Sequence, residues 1–483
     1  MSESLTLSEH PLSIVWIRRD MRLYDHAALE AALASGGHAV LPVFIFDSDV
    51  LKRFDNQQDR RLSFLAETLL QMHAELRERA GGMVVAYGKA EELIPQIART
   101  LQARQVICAE DFEPATRKRD AQVKKALPEN CRFVQVIDHV IHHPDTVLKD
   151  DGDPYKVFTP YSRSWLSKVN QYSYAEKTVS NDAGRYADFG TAKQMLSKAG
   201  VTLLDTDGSA EKMLAPVGYK AVELGEWQVD DSRKRLHRFV ESQVAEYKEA
   251  RDFMAQPGTS KLSPYLRFGL VSVRECARLC SEHSKTDAWL NELIWREFYH
   301  AILYHYPDVV EQDFNEKYRG KLDWSQSSKD WDAFCEGKTG FPIVDAAIRE
   351  LLHTGWMHNR ARMIVASFLT KDLHIDWRKG EEFFAQHLMD YELSSNNGGW
   401  QWAASTGTDA QPYFRIFNPL SQSKKFDAEG AYIRQYVPAL AKVDKKQVHA
   451  PDAATRRECA YPEPLVDHSK AREKTLQMFK AVS

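Results

Sequence analysis

The sequence predicts an α/β domain with a doubly wound, Rossmann-like parallel sheet, followed by an all-α domain. Three observations carry this. Short apolar runs alternate with amphipathic stretches up to about residue 141. From about Trp227 strand patterns nearly vanish and helical spacing dominates. The second half also holds Trp289, Trp295, Trp324, Trp331, Trp356, Trp377, Trp400 and Trp402, eight of the eleven tryptophans, more indole than core packing usually needs.

Residues 14–17, 40–46, 83–87, 106–108 and 133–137 are the apolar runs read as strands, with helical periodicity over 60–76 and 91–101 between them. No GxGxxG follows the first strand, so the fold predicts a ligand crevice at the strand carboxyl ends without naming a ligand. Residues 142–216, rich in Pro, Gly, Asp and Ser, read as a surface connector with one helix near 162–169. Helices are then expected over 236–250, 273–280, 288–304, 343–352, 359–369 and 381–389. The expected division is 1–141, 142–216 and 217–483.

With 483 residues, 43% hydrophobic and 27% charged, the chain reads as a globular protein of more than one domain, expected to be monomeric. A net charge of -4 gives no overall attraction to nucleic acid, so any such binding needs a local basic face. The apolar run 39–46 is interrupted by Pro42 and too short to span a bilayer, and no basic start precedes an apolar stretch; a cytoplasmic protein without a membrane partner is expected. The six cysteines form no CxxC pair, and His139, His142 and His143 have no acidic or cysteine partner at helical spacing, so no metal is expected.

The chemistry concentrates in residues 390–402. Asp390, Glu392, Asn396 and Asn397 supply acceptors and amides, Gly398 and Gly399 permit close approach, and Trp400 and Trp402 offer stacking area. The alternative for this stretch is a helix ending at the Asn-Asn-Gly-Gly run. Trp289, Glu292 and Arg296 fall on one helical face, with Asn291 and Trp295 on the next, which suits a pocket wall or a solvated edge with one salt bridge. His358, Asn359, Arg360, Arg362 and Met363 open a further helix, and Arg362 is a candidate partner for Asp390. Thr259, Ser260, Lys261, Leu262 and Ser263 precede another, where hydroxyls either hold a phosphate or simply cap.

Taken together, WIRRDMRL at Trp16, PYKVFTPYSRSWL at Pro154, GTSKLS at Gly258, WLNELIWREFY at Trp289, KTGFPIVDAAIRELLHTGWMHNRARMIVASFLTKDL at Lys338 and NNGGWQWAASTGTDAQPYFRIFNP at Asn396 resemble the photolyase and cryptochrome family, in particular bacterial class I photolyases of cyclobutane pyrimidine dimers. The resemblance implies an antenna-pigment domain and a helical domain holding FAD. It implies light-driven repair of UV-damaged DNA by an electron from reduced FAD. FAD would be held by Tyr247, Thr259, Ser260, Lys261, Leu262, Ser263, Trp289, Arg296, Asn359, Arg362, Asp390 and Glu392, with Asn396 at flavin N5. Trp324, Trp377 and Trp400 match the family's photoreduction chain. Glu292, Trp295, Asn359, Met363 and Trp402 would line the lesion pocket, with Arg251, Arg360 and Gln422 near the DNA backbone.

Three departures bear on this. Glu392 stands where most relatives carry Asp, and Tyr391 where they often carry Gly. The residue pairs of folate-type antennas are replaced by Ala115-Thr116 and Val310-Glu311. The resemblance therefore implies 8-hydroxy-5-deazaflavin at Arg60, Asp111 and Arg267 rather than methenyltetrahydrofolate, or else an empty antenna site. A cryptochrome photoreceptor is the alternative; such proteins usually carry a long C-terminal extension and often replace the N5 asparagine. Repair of the (6-4) photoproduct would call for a histidine pair where Asn359 and Met363 stand.

Overall fold

The computed structural model describes residues 10–482 apart from Ala80 and Asn181; the first nine residues of the expected first domain lie outside the described residues. Strands β1 (Leu12–Ile17), β2 (Ala39–Asp47), β3 (Val84–Gly88), β4 (Gln105–Ala109) and β5 (Arg132–Val136) form one parallel sheet in the order β3-β2-β1-β4-β5. β1, β2 and β4 are buried along their whole length, which is why they read as unbroken apolar runs. Helices Ala27–Ala34, Arg60–Glu78, Ala90–Thr100 and Pro114–Ala126 make the crossovers. The strand order reverses between β1 and β4, so Arg18, Arg19 and Asp111 follow strands at a topological switch point.

The chain forms two compact units that are discontinuous in sequence, where the sequence suggests consecutive domains. The first comprises the chain up to Thr146, Leu166–Arg238 and Leu262–Ser284; the second comprises Val147–Trp165, Phe239–Lys261 and everything from Lys285. Residues 142–216 are accordingly more than a connector over the surface. Helix Phe189–Lys198 sends Phe189, Ala192 and Leu196 into the core beneath β1, β2 and β4. Its apolar face is diluted in sequence by the polar and glycine-rich segments on either side.

The 262–284 segment joins the first unit through a buried ion cluster. Arg274 donates to Asp25 Oδ1 and Asp138 Oδ1, both at 2.8 Å, Arg22 donates to Asp138 Oδ2 at 2.8 Å, and Ser272 Oγ donates to Asp25 Oδ2 at 2.7 Å. Burial would raise Asp138, but Arg22 and Arg274 outweigh it and hold its carboxyl well below the usual range.

The second unit is helical around one large apolar cluster that includes Trp377 and Trp400. Helices Asp287–His305, Pro342–Thr354, Asn359–Ser367 and Trp377–His387 fall where helical spacing places them. The expected 236–250 helix breaks instead into Ser232–Ser242, a 3₁₀ turn Val244–Glu246 and the single turn Tyr247–Ala250. Residues Phe368–Asp372 continue the Asn359 helix in π form. Helix Leu393–Ala404 runs straight through Asn396-Asn397-Gly398-Gly399 rather than ending there. Gly398 permits this packing, since a Cβ on it would meet Tyr299 Cδ1 at 2.2 Å. Among the described residues no helix is long and apolar enough to cross a membrane.

Candidate active site

The turn before helix Leu393–Ala404 carries two buried carboxylates, each held by an arginine. Asp390 Oδ2 accepts from Arg362 Nη2 at 2.7 Å, and Arg362 Nε donates to the Met357 carbonyl at 2.8 Å. Asp390 Oδ1 is buried with no hydrogen-bond partner among the described residues. A buried acceptor left unpaired costs about 1–3 kcal/mol, so this oxygen suits a donor that arrives with a ligand.

Glu392 Oε1 accepts from Arg296 Nη2 at 2.9 Å, its Oε2 lies 3.3 Å from His300 Nε2, and Ser395 Oγ donates to Oε2 at 3.2 Å. His300 Nδ1 in turn lies 3.2 Å from Ser394 Oγ. The glutamate thus divides its two oxygens between Arg296 and His300.

Asn396 sits one turn into the same helix. Its amide nitrogen donates to the Glu381 carbonyl at 3.0 Å and to Glu381 Oε1 at 2.9 Å. With the amide nitrogen engaged twice, the oxygen is left as the acceptor end of the side chain, without a hydrogen bond among the described residues.

Tyr247 and Trp289 are brought together by Phe239, whose ring lies 5.8 Å from the first and 5.1 Å from the second. In the 259–263 segment, Lys261 adopts a positive φ of 49° and places Nζ 5.0 Å from the Trp356 ring centroid. The helix opening at Ser263 has only six residues and no side-chain cap, so its contribution to phosphate binding is small. Thr259, Ser260 and Lys261 belong to the second compact unit, Leu262 and Ser263 to the first.

On the Asp287–His305 helix, Glu292 pairs side chain to side chain with Arg251. Burial raises the Glu292 carboxyl and Arg251 only partly opposes it. Trp295 stacks face to face on Phe158, centroids 3.6 Å apart and planes within 6°. Asn359 is exposed, Met363 and Trp402 are half-buried, and Trp402 packs against the main core. Arg360 donates to Asp252 at 2.9 Å and stacks over Phe426. Both arginines predicted near a DNA backbone are therefore carboxylate-paired. Gln422 is half-buried, with its Oε1 lacking a hydrogen-bond partner among the described residues.

The three predicted relay tryptophans share one apolar cluster, with Trp377 and Trp400 buried and Trp324 half-buried at its margin. Trp400 lies against Gly380, one turn beyond Trp377, where a Cβ would meet its Cη2 at 2.2 Å. Trp377 Nε1 donates to Asp313 Oδ1 at 2.8 Å, whereas Trp400 Nε1 is buried with no hydrogen-bond partner among the described residues.

In the first unit, Asp111 follows β4 and lies 3.4 Å from Arg19. Burial would raise its carboxyl, but Arg19, His139 and Arg18 outweigh it and hold it well below the usual range. Arg60 opens helix Arg60–Glu78; one turn along, Phe64 packs on Phe268, the neighbour of Arg267.

Sequence reasoning did not single out Glu381, His300, Phe158 or Asp313. Each acts through a partner distant in the chain, so no local spacing reveals it.

A family model described as the FAD binding domain of DNA photolyase matches residues 289–481, and one described as DNA photolyase matches residues 13–179. A deoxyribodipyrimidine photo-lyase from Vibrio cholerae is 39% identical, over 97% of this chain and 99% of the relative. Among solved structures, a bacterial class III photolyase from Agrobacterium tumefaciens aligns with a TM-score of 0.81 and 32% identity, covering 100% of this chain and 99% of the other. An archaeal photolyase from Sulfolobus tokodaii, solved with two FAD molecules, aligns with a TM-score of 0.79 and 29% identity, covering 97% and 100%. With a parallel α/β unit, a helical unit and full-length identity at this level, the chain belongs to the DNA photolyase family.

Proposed function

We propose that the protein is a deoxyribodipyrimidine photo-lyase that splits cyclobutane pyrimidine dimers in DNA, using light and reduced FAD. The observation that carries this reading is that helix Asp287–His305 holds both halves of such a site: Arg296 paired to Glu392, and one turn earlier Glu292 paired to Arg251. The unpaired Asp390 oxygen fits a ligand rich in hydrogen-bond donors. When bound, reduced FAD supplies the photoexcited electron that opens the cyclobutane ring and receives it back.

The chain's residues do the rest. Arg296, Arg362, Asp390 and Glu392 hold the flavin, assisted by Trp289, Tyr247 and residues 259–263. Asn396, its amide nitrogen spent on Glu381, presents only an acceptor oxygen toward the flavin and so adds no charge there. Enzymes that treat a base outside the helix, photolyases among them, must unstack it, and a damaged pair costs least. Trp295, fixed flat by Phe158, and Trp402 give the extruded dimer a surface, with Asn359 and Met363 beside it. Glu292 hydrogen-bonds the pyrimidine edge, a role suited to a carboxyl raised by burial. Arg360 and Gln422 steady the strand. Trp400, Trp377 and Trp324 carry electrons inward to restore the reduced flavin. An antenna of 8-hydroxy-5-deazaflavin type would use Arg60, Asp111 and Arg267.

Illumination of the reduced protein with a dimer-containing oligonucleotide should restore intact thymines. Failure to restore them, with light-driven flavin reduction intact, would favour a photoreceptor role.

A further inference from the structure

Three indoles that pass an electron need a reason for the positive charge to move outward and stay there. Apolar burial alone supplies none: Trp377 and Trp400 are equally enclosed, at 0% and 2% exposure. Their N–H groups are not equivalent. That of Trp400 is buried with no acceptor among the described residues, while that of Trp377 donates to Asp313 Oδ1 at 2.8 Å. Asp313 is itself 2% exposed and comes from the segment after helix Asp287–His305, far from Trp377 in sequence.

From this asymmetry we infer that Asp313 is the charge sink of the tryptophan relay: it stabilises oxidised Trp377 and accepts its indole proton, so that the hole leaves Trp400 and does not return. This rests on the relay reading given above. An indole that has lost an electron is a far stronger acid than the neutral ring, and a buried ring can release its proton only to a group already bonded to it. Trp377 passes one electron to oxidised Trp400 and one proton from Nε1 to Asp313; the N–H bond breaks, an O–H bond forms, and the ring becomes a neutral radical. Photoexcited oxidised FAD is the electron acceptor at the inner end, and an electron arriving through Trp324 from an external reductant reverses the transfer.

Arg378 opposes the effect without cancelling it. Its guanidinium lies 4.5 Å from the Trp377 ring centroid and 3.7 Å from Asp313 Oδ2. It is shared with Asp376 at 3.1 Å and is one-third exposed, whereas Asp313 is buried and touches the N–H directly. Arg319 Nε donates to the Asp313 carbonyl at 2.9 Å and its Nη1 pairs with Glu316 at 3.8 Å.

Flash photolysis of FAD-loaded Trp324→Phe protein stops the hole at Trp377. The indole radical absorption should change there from the cationic to the neutral form, more slowly in D₂O. In Trp324→Phe/Asp313→Asn the radical should stay cationic and recombine, lowering the long-lived population by roughly tenfold. A cationic radical that persists beside intact Asp313, or a neutral radical indifferent to Asp313→Asn, overturns the assignment. The D₂O comparison needs no change at Asp313 and decides the matter if that variant does not fold. Undiminished flavin photoreduction in Trp377→Phe would instead remove the relay reading itself.

Discussion

Asn396 and Glu381 are locked together by two hydrogen bonds from one amide nitrogen, to the carbonyl at 3.0 Å and the carboxylate at 2.9 Å. Glu381 belongs to helix Trp377–His387 and Asn396 to helix Leu393–Ala404, so the bond also ties two helices. Glu381→Ala should free the amide to turn, and reduced flavin in the purified protein should then reoxidise in air roughly tenfold faster. An absorbance time course after anaerobic reduction checks it.

The Glu292–Arg251 pair leads to a second expectation. Glu292→Ala should lower the repair yield per absorbed photon by roughly tenfold, the worth of one charged hydrogen bond, while FAD stoichiometry is retained. Loss of bound flavin would make the residue structural instead. Repair assays read alongside the flavin-to-protein absorbance ratio separate the two.

Trp324→Phe should abolish the steady-state build-up of reduced flavin, because an external reductant then no longer reaches the radical left at Trp377 inside the apolar cluster and each charge pair finally recombines. Protein reduced chemically in the dark does not draw on that route and should still repair. Steady-state photoreduction and repair, measured on one preparation, test both halves.

Lys371 is 1% exposed in the π-helical turn, donates to Ser405 Oγ at 2.6 Å and stacks on Phe479, and burial pushes its ammonium down to about 7. The unfolded chain keeps that proton up to about 10.5. Between these values the unfolded state binds more protons, so this group makes stability rise with pH. Lys371→Met should raise Tm by at least ~2 °C, with the gain greatest below pH 7 and shrinking above it. Calorimetry across that range reads the trend.

His358 and His374 are likewise pushed down to about 4 by burial, the second bonded to Thr475 at 3.0 Å. From pH 6.5 down to 4 the unfolded chain takes up protons that the folded chain refuses, so stability should fall by about 1.4 kcal/mol per pH unit for each histidine. Denaturant titrations at pH 7, 6 and 5 should show the loss, and His374→Gln should reduce its slope.

Much of this was legible in the sequence for a physical reason. β1, β2 and β4 are buried on both faces and announce themselves as apolar runs, and Asp287–His305 carries its pocket chemistry at helical spacing. The Arg362–Asp390 pair was also foreseeable, since a carboxylate buried beside a helix start asks for a cation. Asp313, Glu381, His300 and Phe158 were not, because tertiary contact alone gives them meaning. The 189–198 helix and the 262–284 segment were misplaced by reading along the chain, as composition does not show which core a helix will find.

The buried cluster of Arg22, Asp25, Asp138 and Arg274 sets an order on synthesis. Asp25 must wait for an arginine made more than two hundred residues later, whereas Asp138 already has Arg22. A ribosome-bound chain from which Arg274 has yet to emerge therefore carries the whole sheet with the Asp25 charge uncompensated, and the first unit closes fully only once that helix has emerged. Truncation at Thr146, however natural a domain boundary it looks, should give a fragment that needs a chaperone rather than a stable module.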